Sequence, residues 1–329
     1  MLNEYWYIAC LTQDLKRKPL SVKILGKNLV IFRSQDGVLG ALQDSCPHRR
    51  MALSKGVCTK NGIRCGYHGW EFGAKGLLSK IPACSSGEKA HVKIKAYRVK
   101  ESQCFIWVYM GDNEPKAEPY QFPFYEEKGW HNWVMTRTFE GNAFHCCENY
   151  LDVPHTVYVH SGLFRNEKRN VLEYEVSSGE NWVQAEFFNE KPLDSFLGRF
   201  IFNSDQSPQH IDRFILPYTT RVDYKYSDDH HFIVSTQCTP IDEFNTRTFT
   251  YMAHRIKYYG ALIKPIYKLM SHFILDQDVK VIREQTKSME ASGLSSFIFH
   301  TTDVLALEIK KKIEGIPLSE SIKKGSILV

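Results

Sequence analysis

Two short loops constrain what this chain can fold into more than anything else in it. Cys46-Pro47-His48-Arg49 and Cys65-Gly66-Tyr67-His68-Gly69-Trp70 each supply one thiol and one imidazole, spaced Cys-x-His, sixteen residues, then Cys-x-x-His. Glycine and proline in these loops suit a backbone that closes tightly around a buried inorganic group. Structural zinc accepts two Cys and two His, although its ligands usually come grouped by type, Cys with Cys and His with His. With one of each per loop, the thiolates can hold one iron of a [2Fe–2S] cluster and the imidazoles the other.

Short β-runs surround the loops. Leu29-Val30-Ile31-Phe32 reads as a buried strand closed by the Asp36-Gly37 turn, with residues 38–42 as its hairpin partner. Phe105-Ile106-Trp107-Val108-Tyr109 reads as another strand of the same small domain. Asp112-Asn113-Glu114-Pro115, Pro119 and Pro123 then form a polar, proline-punctuated connection. With 329 residues the chain has room for two cores, and the expected domains are residues 1–113 and 114–329.

Composition narrows the function classes. Hydrophobic residues at 43% and charged residues at 24% are ordinary for a globular protein. The net charge of +5 is spread along the chain. Lys16-Arg17-Lys18 and Lys310-Lys311-Lys312 read as solvated faces or a dock for an acidic redox partner, not as a nucleic-acid-binding arm. No secretion signal is read in residues 1–11, and the apolar stretch 258–275 is interrupted by Lys264, Lys268 and His272, so no membrane span is expected. Nine cysteines without paired spacing do not make a disulfide framework, and a reducing cytoplasm is the expected location.

A second concentration of chemistry lies in Glu148-Asn149-Tyr150-Leu151-Asp152-Val153-Pro154-His155-Thr156-Val157-Tyr158-Val159-His160. Two histidines and one carboxylate with open positions suit non-haem Fe(II). His155 and His160, five apart, would stand about 140° apart on a regular helix, so one ion can take both only where the helix is broken. Pro154 and three β-branched residues make a break plausible. A third ligand is expected from Ile274-Leu275-Asp276-Gln277-Asp278-Val279-Lys280-Val281-Ile282, where Asp278 shares the inward face with Ile274 and Ile282 while Asp276 points outward. Residues 171–255 alternate as antiparallel strands, including 182–188, 213–218, 232–237 and 246–252. A final helix is expected with Thr302 as its cap and Leu305 and Ile309 inward, then a loose tail from Ser319.

The cluster motif resembles that of Rieske oxygenase α subunits. Respiratory Rieske proteins carry an additional cysteine in each loop, where this chain has Met51 and Tyr67. Asn149, Asp152, His155 and His160 fill the same family's iron motif, and Asp278 with Gln285 resembles its acidic helix, Arg283 replacing the usual Glu. The resemblance implies an α+β chain: an all-β Rieske domain, then a helix-grip (START-like) antiparallel catalytic domain with C-terminal helices. It implies Cys46, His48, Cys65 and His68 on the [2Fe–2S] cluster, and His155, His160 and Asp278 on Fe(II). Asn149 would lie behind them, and Asp152 would hydrogen-bond toward a cluster histidine of a neighbouring subunit in a homotrimer. With no dinucleotide fingerprint in the chain, NAD(P)H would be oxidised by a separate ferredoxin or flavin reductase. The reaction implied is monooxygenation with O2: hydroxylation, or O- or N-demethylation, of a small aromatic or alicyclic molecule. Phe187, Phe188, Tyr218 and His254 are pocket candidates, and Arg221 a partner for an acidic substrate. The alternative is a Rieske electron-transfer or ligand-binding protein without turnover.

Overall fold

A computed structural model describes residues 2–84, 91–161, 170–190, 207–294, 297–318 and 322–329. The chain divides into two compact units, Met1–Gln121 and Phe122–Val329. None of the nine cysteines forms a disulfide.

The first unit is built from β1 (Trp6–Leu11), β2 (Leu20–Ile24), β3 (Lys27–Arg33), β4 (Leu39–Gln43), β5 (Val57–Cys58), β6 (Gly62–Arg64), β7 (Glu71–Gly73), β8 (Leu78–Lys80), β9 (Ala96–Ser102) and β10 (Phe105–Tyr109). They form a six-stranded sheet, ordered β1-β10-β9-β4-β3-β2, and a small sheet, β5-β6-β7-β8. The expected hairpin is β3 against β4, with Ile31 opposite Ala41. Val30 and Phe32 from the large sheet and Ile63 and Phe72 from the small one are buried in one core, which takes in Cys46 and Cys65. Residues 112–118 of the proline-punctuated segment lie on this unit. Lys95 pairs with Asp112 at 2.7 Å, Arg98 with Glu114 and Lys100 with Glu118, and Trp6 Nε1 donates to the Ala117 carbonyl.

The second unit begins with β11 (His131–Phe139), α1 (Ala143–Leu151) and α2 (His155–Tyr158). There follow β12 (Val171–Ser178), β13 (Trp182–Phe188), β14 (Gln209–Ile215), β15 (Thr219–Ser227), β16 (His230–Pro240) and β17 (Thr246–Ile256). It closes with α3 (Gly260–Ser292), α4 (Ala306–Glu314) and β18 (Lys323–Leu328). Its eight strands form one antiparallel sheet, ordered β11-β17-β16-β15-β14-β13-β12-β18. α1 packs over β14, β15 and β16, while α3 lies along β11 and β17. This is the helix-on-antiparallel-sheet arrangement expected for a catalytic domain of the α+β type.

Three local expectations are corrected. The strand read at 213–218 spans Gln209–Ile215 instead, because Pro217 has no N–H to give a ladder and turns the chain into β15. Thr302 does not cap the last helix. Asp303 Oδ2 accepts the His300 N–H at 2.7 Å in a preceding turn, and α4 starts only at Ala306, with Leu305 and Ile309 buried as expected. The end of the chain is no loose tail: residues 319–321 lie outside the described residues, but β18 pairs with β12 and buries Ile327. Among the described residues no helix is long and apolar enough to cross a membrane.

Candidate functional site

The two cluster loops close in the same way. Cys46 N–H donates to Met51 O and Arg50 N–H to Cys46 O, both at 2.8 Å; Cys65 N–H donates to Trp70 O at 2.8 Å and Gly69 N–H to Cys65 O at 3.2 Å. In both, the fourth residue after the cysteine has positive φ, Arg50 at 59° and Gly69 at 71°. Glycine is needed at the second, since a Cβ there would also meet Pro82 Cγ at 2.9 Å. Both thiols are buried. Burial and the neighbouring Cys65 push the Cys46 thiol up, against backbone hydrogen bonds from the loop that lower it. The rings of His48 and His68 meet edge to face at 4.5 Å, and His48 stacks flat on Trp70 at 4.7 Å. Burial, His68 and Arg49 hold His48 below its ordinary range, so it is a neutral imidazole, and its Nδ1 is buried without a hydrogen bond. Two thiols and a neutral, unsatisfied imidazole on matched loops fit an iron–sulfur group.

In the second unit the Asn142 side chain caps α1 by accepting the Phe144 N–H at 2.8 Å. The helix stops at Leu151, before Pro154, which disfavours helical backbone in Val153 and opens α2. α2 lasts only four residues, so the expected break is present, and His155 Nε2 lies 3.3 Å from His160 Nε2. Asp278 arrives from α3. Its approach depends on Gly141, where a Cβ would fall 2.2 Å from Ile282 Cγ2, one turn beyond Asp278. Asp278 Oδ1 stands 3.1 Å from His160 Nε2 and 3.6 Å from His155 Nε2. The three donor atoms lie within 4.8 Å of one another, the one such His/Cys/Asp/Glu group found among the described residues.

The tautomers are set from behind. His160 Nδ1–H donates to Gln277 Oε1 at 2.8 Å, and His155 Nδ1–H to the Asp152 carbonyl. Each Nε2 lone pair is thereby turned toward Asp278, as in metal sites with oriented histidines. Burial would raise the Asp278 carboxyl, but with the imidazoles protonated their hydrogen bonds and charge outweigh it and hold it below its ordinary range, and a cation bound to the Nε2 atoms would take the place of those protons. Two imidazole lone pairs and a carboxylate fit a divalent cation. Asp276, two residues earlier, points outward and pairs with Arg137 Nε at 2.7 Å. Arg283 pairs with Glu140 at 2.8 Å on the surface, which accounts for the residue that departs from the family pattern.

The three donors open onto a cavity of about 180 Å3 between the sheet and the helices, whose wall includes Asn149, Asp152, Val222, Phe232, Met252 and Leu275. Asn149 Oδ1 is buried there without a hydrogen bond. The expected pocket aromatics are elsewhere: Phe187 and His254 are in the core, Phe188 is exposed, Tyr218 packs on the core, and none lines the cavity. Arg221 is held bidentately by Asp223 at 2.6 and 2.8 Å. The wall contains a polar group instead that the sequence reading cut off by starting its strand at Arg213. His210 and Asp212 share the inward parity of Phe214 on β14. His210 Nδ1 donates to Glu190 Oε2 at 2.7 Å and its Nε2 to Asp212 Oδ1 at 2.9 Å. Burial would lower this imidazole, but Asp212 and Glu190 overcome it and push it up to about 9. Phe187 and Tyr224, its cross-strand neighbours, stack on either side at 4.7 and 4.1 Å.

Near the metal donors the acids crowd. Burial first, then Asp152 and Asp303, raise Glu148 to about 7, against the opposing effect of His155. A carboxyl raised on folding stabilises below its ordinary value of 4.5, and that stability is lost as pH climbs to about 7. Glu148→Gln is therefore expected to match the parent near about pH 5 and to be more stable by on the order of 2 kcal/mol near about pH 8. Thermal unfolding at the two pH values measures this; an equal gain at both would show that ionisation is not the cause.

Two family models match the chain: the Rieske [2Fe–2S] domain over residues 5–100, and the vanillate O-demethylase oxygenase C-terminal domain over residues 139–314, more than half of its length. The chain belongs to the Rieske non-haem iron oxygenase family. The first match decides between zinc and an iron–sulfur cluster in favour of the cluster. The dicamba O-demethylase oxygenase component of Stenotrophomonas maltophilia is 33% identical over 186 residues, 55% of this chain and 54% of that protein. The vanillate O-demethylase oxygenase subunit of Pseudomonas sp. (strain HR199 / DSM 7063) is 32% identical over 163 residues, 47% of this chain and 44% of that protein. This Rieske chain thus spans about half the length of the curated relatives it matches. In fold it resembles dicamba monooxygenase bound to dicamba, with a TM-score of 0.82 at 22% identity over 96% of this chain and 97% of that one. The Pseudomonas putida CBB5 NdmA QL mutant with caffeine gives a TM-score of 0.78 at 20% identity, covering 95% of this chain and 90% of that one.

Proposed function

We propose that this chain is the terminal oxygenase of a multicomponent system. It uses O2, and electrons from a separate NAD(P)H-dependent ferredoxin or flavin reductase, to monooxygenate a small aromatic or alicyclic substrate by hydroxylation or O- or N-demethylation. One observation carries this reading: His155, His160 and Asp278 converge on the wall of a largely apolar cavity. Cys46, His48, Cys65 and His68 would hold the [2Fe–2S] cluster, and His155, His160 and Asp278 a mononuclear Fe(II). When bound, the cluster supplies single electrons and the iron supplies O2 activation.

The chain's own residues provide orientation and exclusion. Gln277 and the Asp152 carbonyl keep protons on the distal histidine nitrogens. Phe232, Val222 and Met252 place apolar surface beside the donors, which limits water and favours a compact apolar body in the substrate. Asn149 offers an unsatisfied carbonyl oxygen to a ligand or an ordered water. Asp152 ends α1, with its side chain 25% exposed and its Oδ2 3.7 Å from His155 Nδ1. Partial exposure beside a metal ligand supports a bridging role toward the cluster of the next subunit in a cytoplasmic, head-to-tail homotrimer.

The test is NAD(P)H-driven O2 uptake with a surrogate reductase and a panel of aromatic acids, methyl ethers and N-methyl compounds, following 18O from labelled O2 into hydroxylated product and formaldehyde release where a methyl group is lost. Hydroxylated product without label, no formaldehyde from any methyl ether or N-methyl compound that is turned over, or no substrate-dependent uptake, would overturn the proposal. For Asp152→Asn, turnover is expected to fall about 10- to 100-fold with assembly and iron content unchanged. Undiminished turnover would remove Asp152 from the electron route.

A further inference from the structure

The helix that carries Asp278 has a second face that the metal donors do not use. Tyr267, Ser271, Leu275 and Asp278 form the buried side of α3. Leu262, Ile266, Leu269 and Phe273 recur at i, i+4, i+7 and i+11, which keeps them within about 60° of one another on the opposite side. Leu262 and Leu269 are each 74% exposed, Phe273 58% and Ile266 46%, and Tyr258 and Tyr259 are exposed just before the helix. Single apolar residues on a surface are ordinary, but a contiguous row with no described residue over it marks a contact site. The charge around the row is of one sign. Between Glu243 and Asp276 the sequence has no acid, and Arg255, Lys257, Lys264 and Lys268 lie in the part that leads into and starts α3. Asp229, which pairs with Lys257 at 2.9 Å and Arg255 at 3.6 Å, offsets one of these charges.

We propose that this face docks the chain on an anionic lipid bilayer. A helix with an apolar row, aromatic residues at one end and cations around it lies in the plane of a membrane surface, its apolar side chains among the acyl chains and its charges at the headgroups. Lysines off the row reach those headgroups along their own methylene stems. Charge decides against the other apolar partner at hand, a second copy of this chain. Pairing the face with itself would bring cations toward cations, whereas anionic headgroups complement them. The docking is in the surface plane and not a span: among the described residues no helix is long and apolar enough to cross a membrane. On its other side α3 gives Tyr267, Met270 and Ile274 to the cavity wall, so docking would set the cavity beside a phase that concentrates apolar compounds. That consequence rests on the cavity being the substrate site; the docking itself does not.

Co-flotation tests this with the holoprotein and two kinds of vesicle: phosphatidylglycerol with phosphatidylcholine in equal parts, and phosphatidylcholine alone. The holoprotein is expected to float with the first and to bind the second at least about ten-fold more weakly, each basic residue near an anionic surface being worth roughly five-fold. Leu262→Gln with Leu269→Gln is expected to abolish flotation while iron content and melting temperature stay as in the parent, since both leucines already face outward. No flotation with the anionic vesicles, equal binding to both kinds, or a double variant that floats like the parent overturns the proposal. So does a change in subunit number caused by the double variant without lipid, measured by light scattering, which would give the face to a second copy. If that variant does not fold, the two vesicles compared on the parent decide. Flotation needs no turnover. An inactive protein that floats would sink the oxygenase reading alone, and an active one that does not float would sink this proposal alone.

Discussion

Asp278→Ala is expected to lower iron from about three to about two atoms per chain and to bring turnover to background, with the reduced cluster signal intact. Asp278 is the carboxylate that meets two oriented imidazoles, at 3.1 and 3.6 Å, and removing it leaves two neutral ligands for a cation. The loss is local. Alanine suits a helix interior, and the cluster donors belong to the other compact unit. The control is Asp276→Ala, which removes an acid two residues away that is 60% exposed and paired with Arg137. It is expected to keep all the iron and lose under about 1 kcal/mol of stability. Iron assay, electron paramagnetic resonance and O2 uptake on both variants measure the contrast. If Asp278→Ala kept its third iron, or Asp276→Ala lost it, the wrong acid would have been assigned.

That pair shows how much periodicity alone could tell. Both acids lie in one helix, and their assignment to inward and outward faces needed only 100° per residue and the positions of Ile274 and Ile282. The cluster loops were legible for a different reason: four unusual side chains at fixed spacing leave few alternatives. The break at Pro154 was legible from a proline that suits a first helical turn and from the β-branched Thr156, Val157 and Val159 after it. What failed was parity at strand ends. Beginning a strand at Arg213 discarded His210 and Asp212, two polar residues of the cavity wall, although both share the register of Phe214. A buried polar pair breaks the rule that inward positions are apolar, so hydrophobic alternation underreports such positions. The same limit explains Phe187 and His254. They were correctly read as aromatic or polar residues on strands, but which face meets a cavity depends on where α1 and α3 lie, and strand pattern carries no information on that. Gln277 was missed because its role exists only across the fold, as an acceptor for His160, 117 residues earlier.

The chain's last strand went unread for a related reason: its apolar signal is short, and lysines dilute it. Ending the chain at Leu318 is expected to destabilise the second unit by about 3 kcal/mol and to lower its melting temperature by roughly 5–10 °C. β18 runs along β12 from Val171 opposite Leu328 to Val176 opposite Lys323. Ile327 on the strand and Val329 just after it are buried almost fully, each worth about 1.5–3 kcal/mol, and ordering the strand offsets part of that gain. Its loss also leaves β12 as an open edge, with Leu172, Tyr174 and Val176 uncovered, which invites pairing with other chains. Ile327→Ala is expected to reproduce a large share of the effect, about 2 kcal/mol or more. Lys323→Ala with Lys324→Ala should have little effect, because their partners Glu308 and Glu175 are reached by lysines 41% and 64% exposed. Thermal unfolding and light scattering of the three variants measure this order. A truncated chain that melts with the parent and stays monodisperse would show that β18 contributes nothing to the sheet it closes.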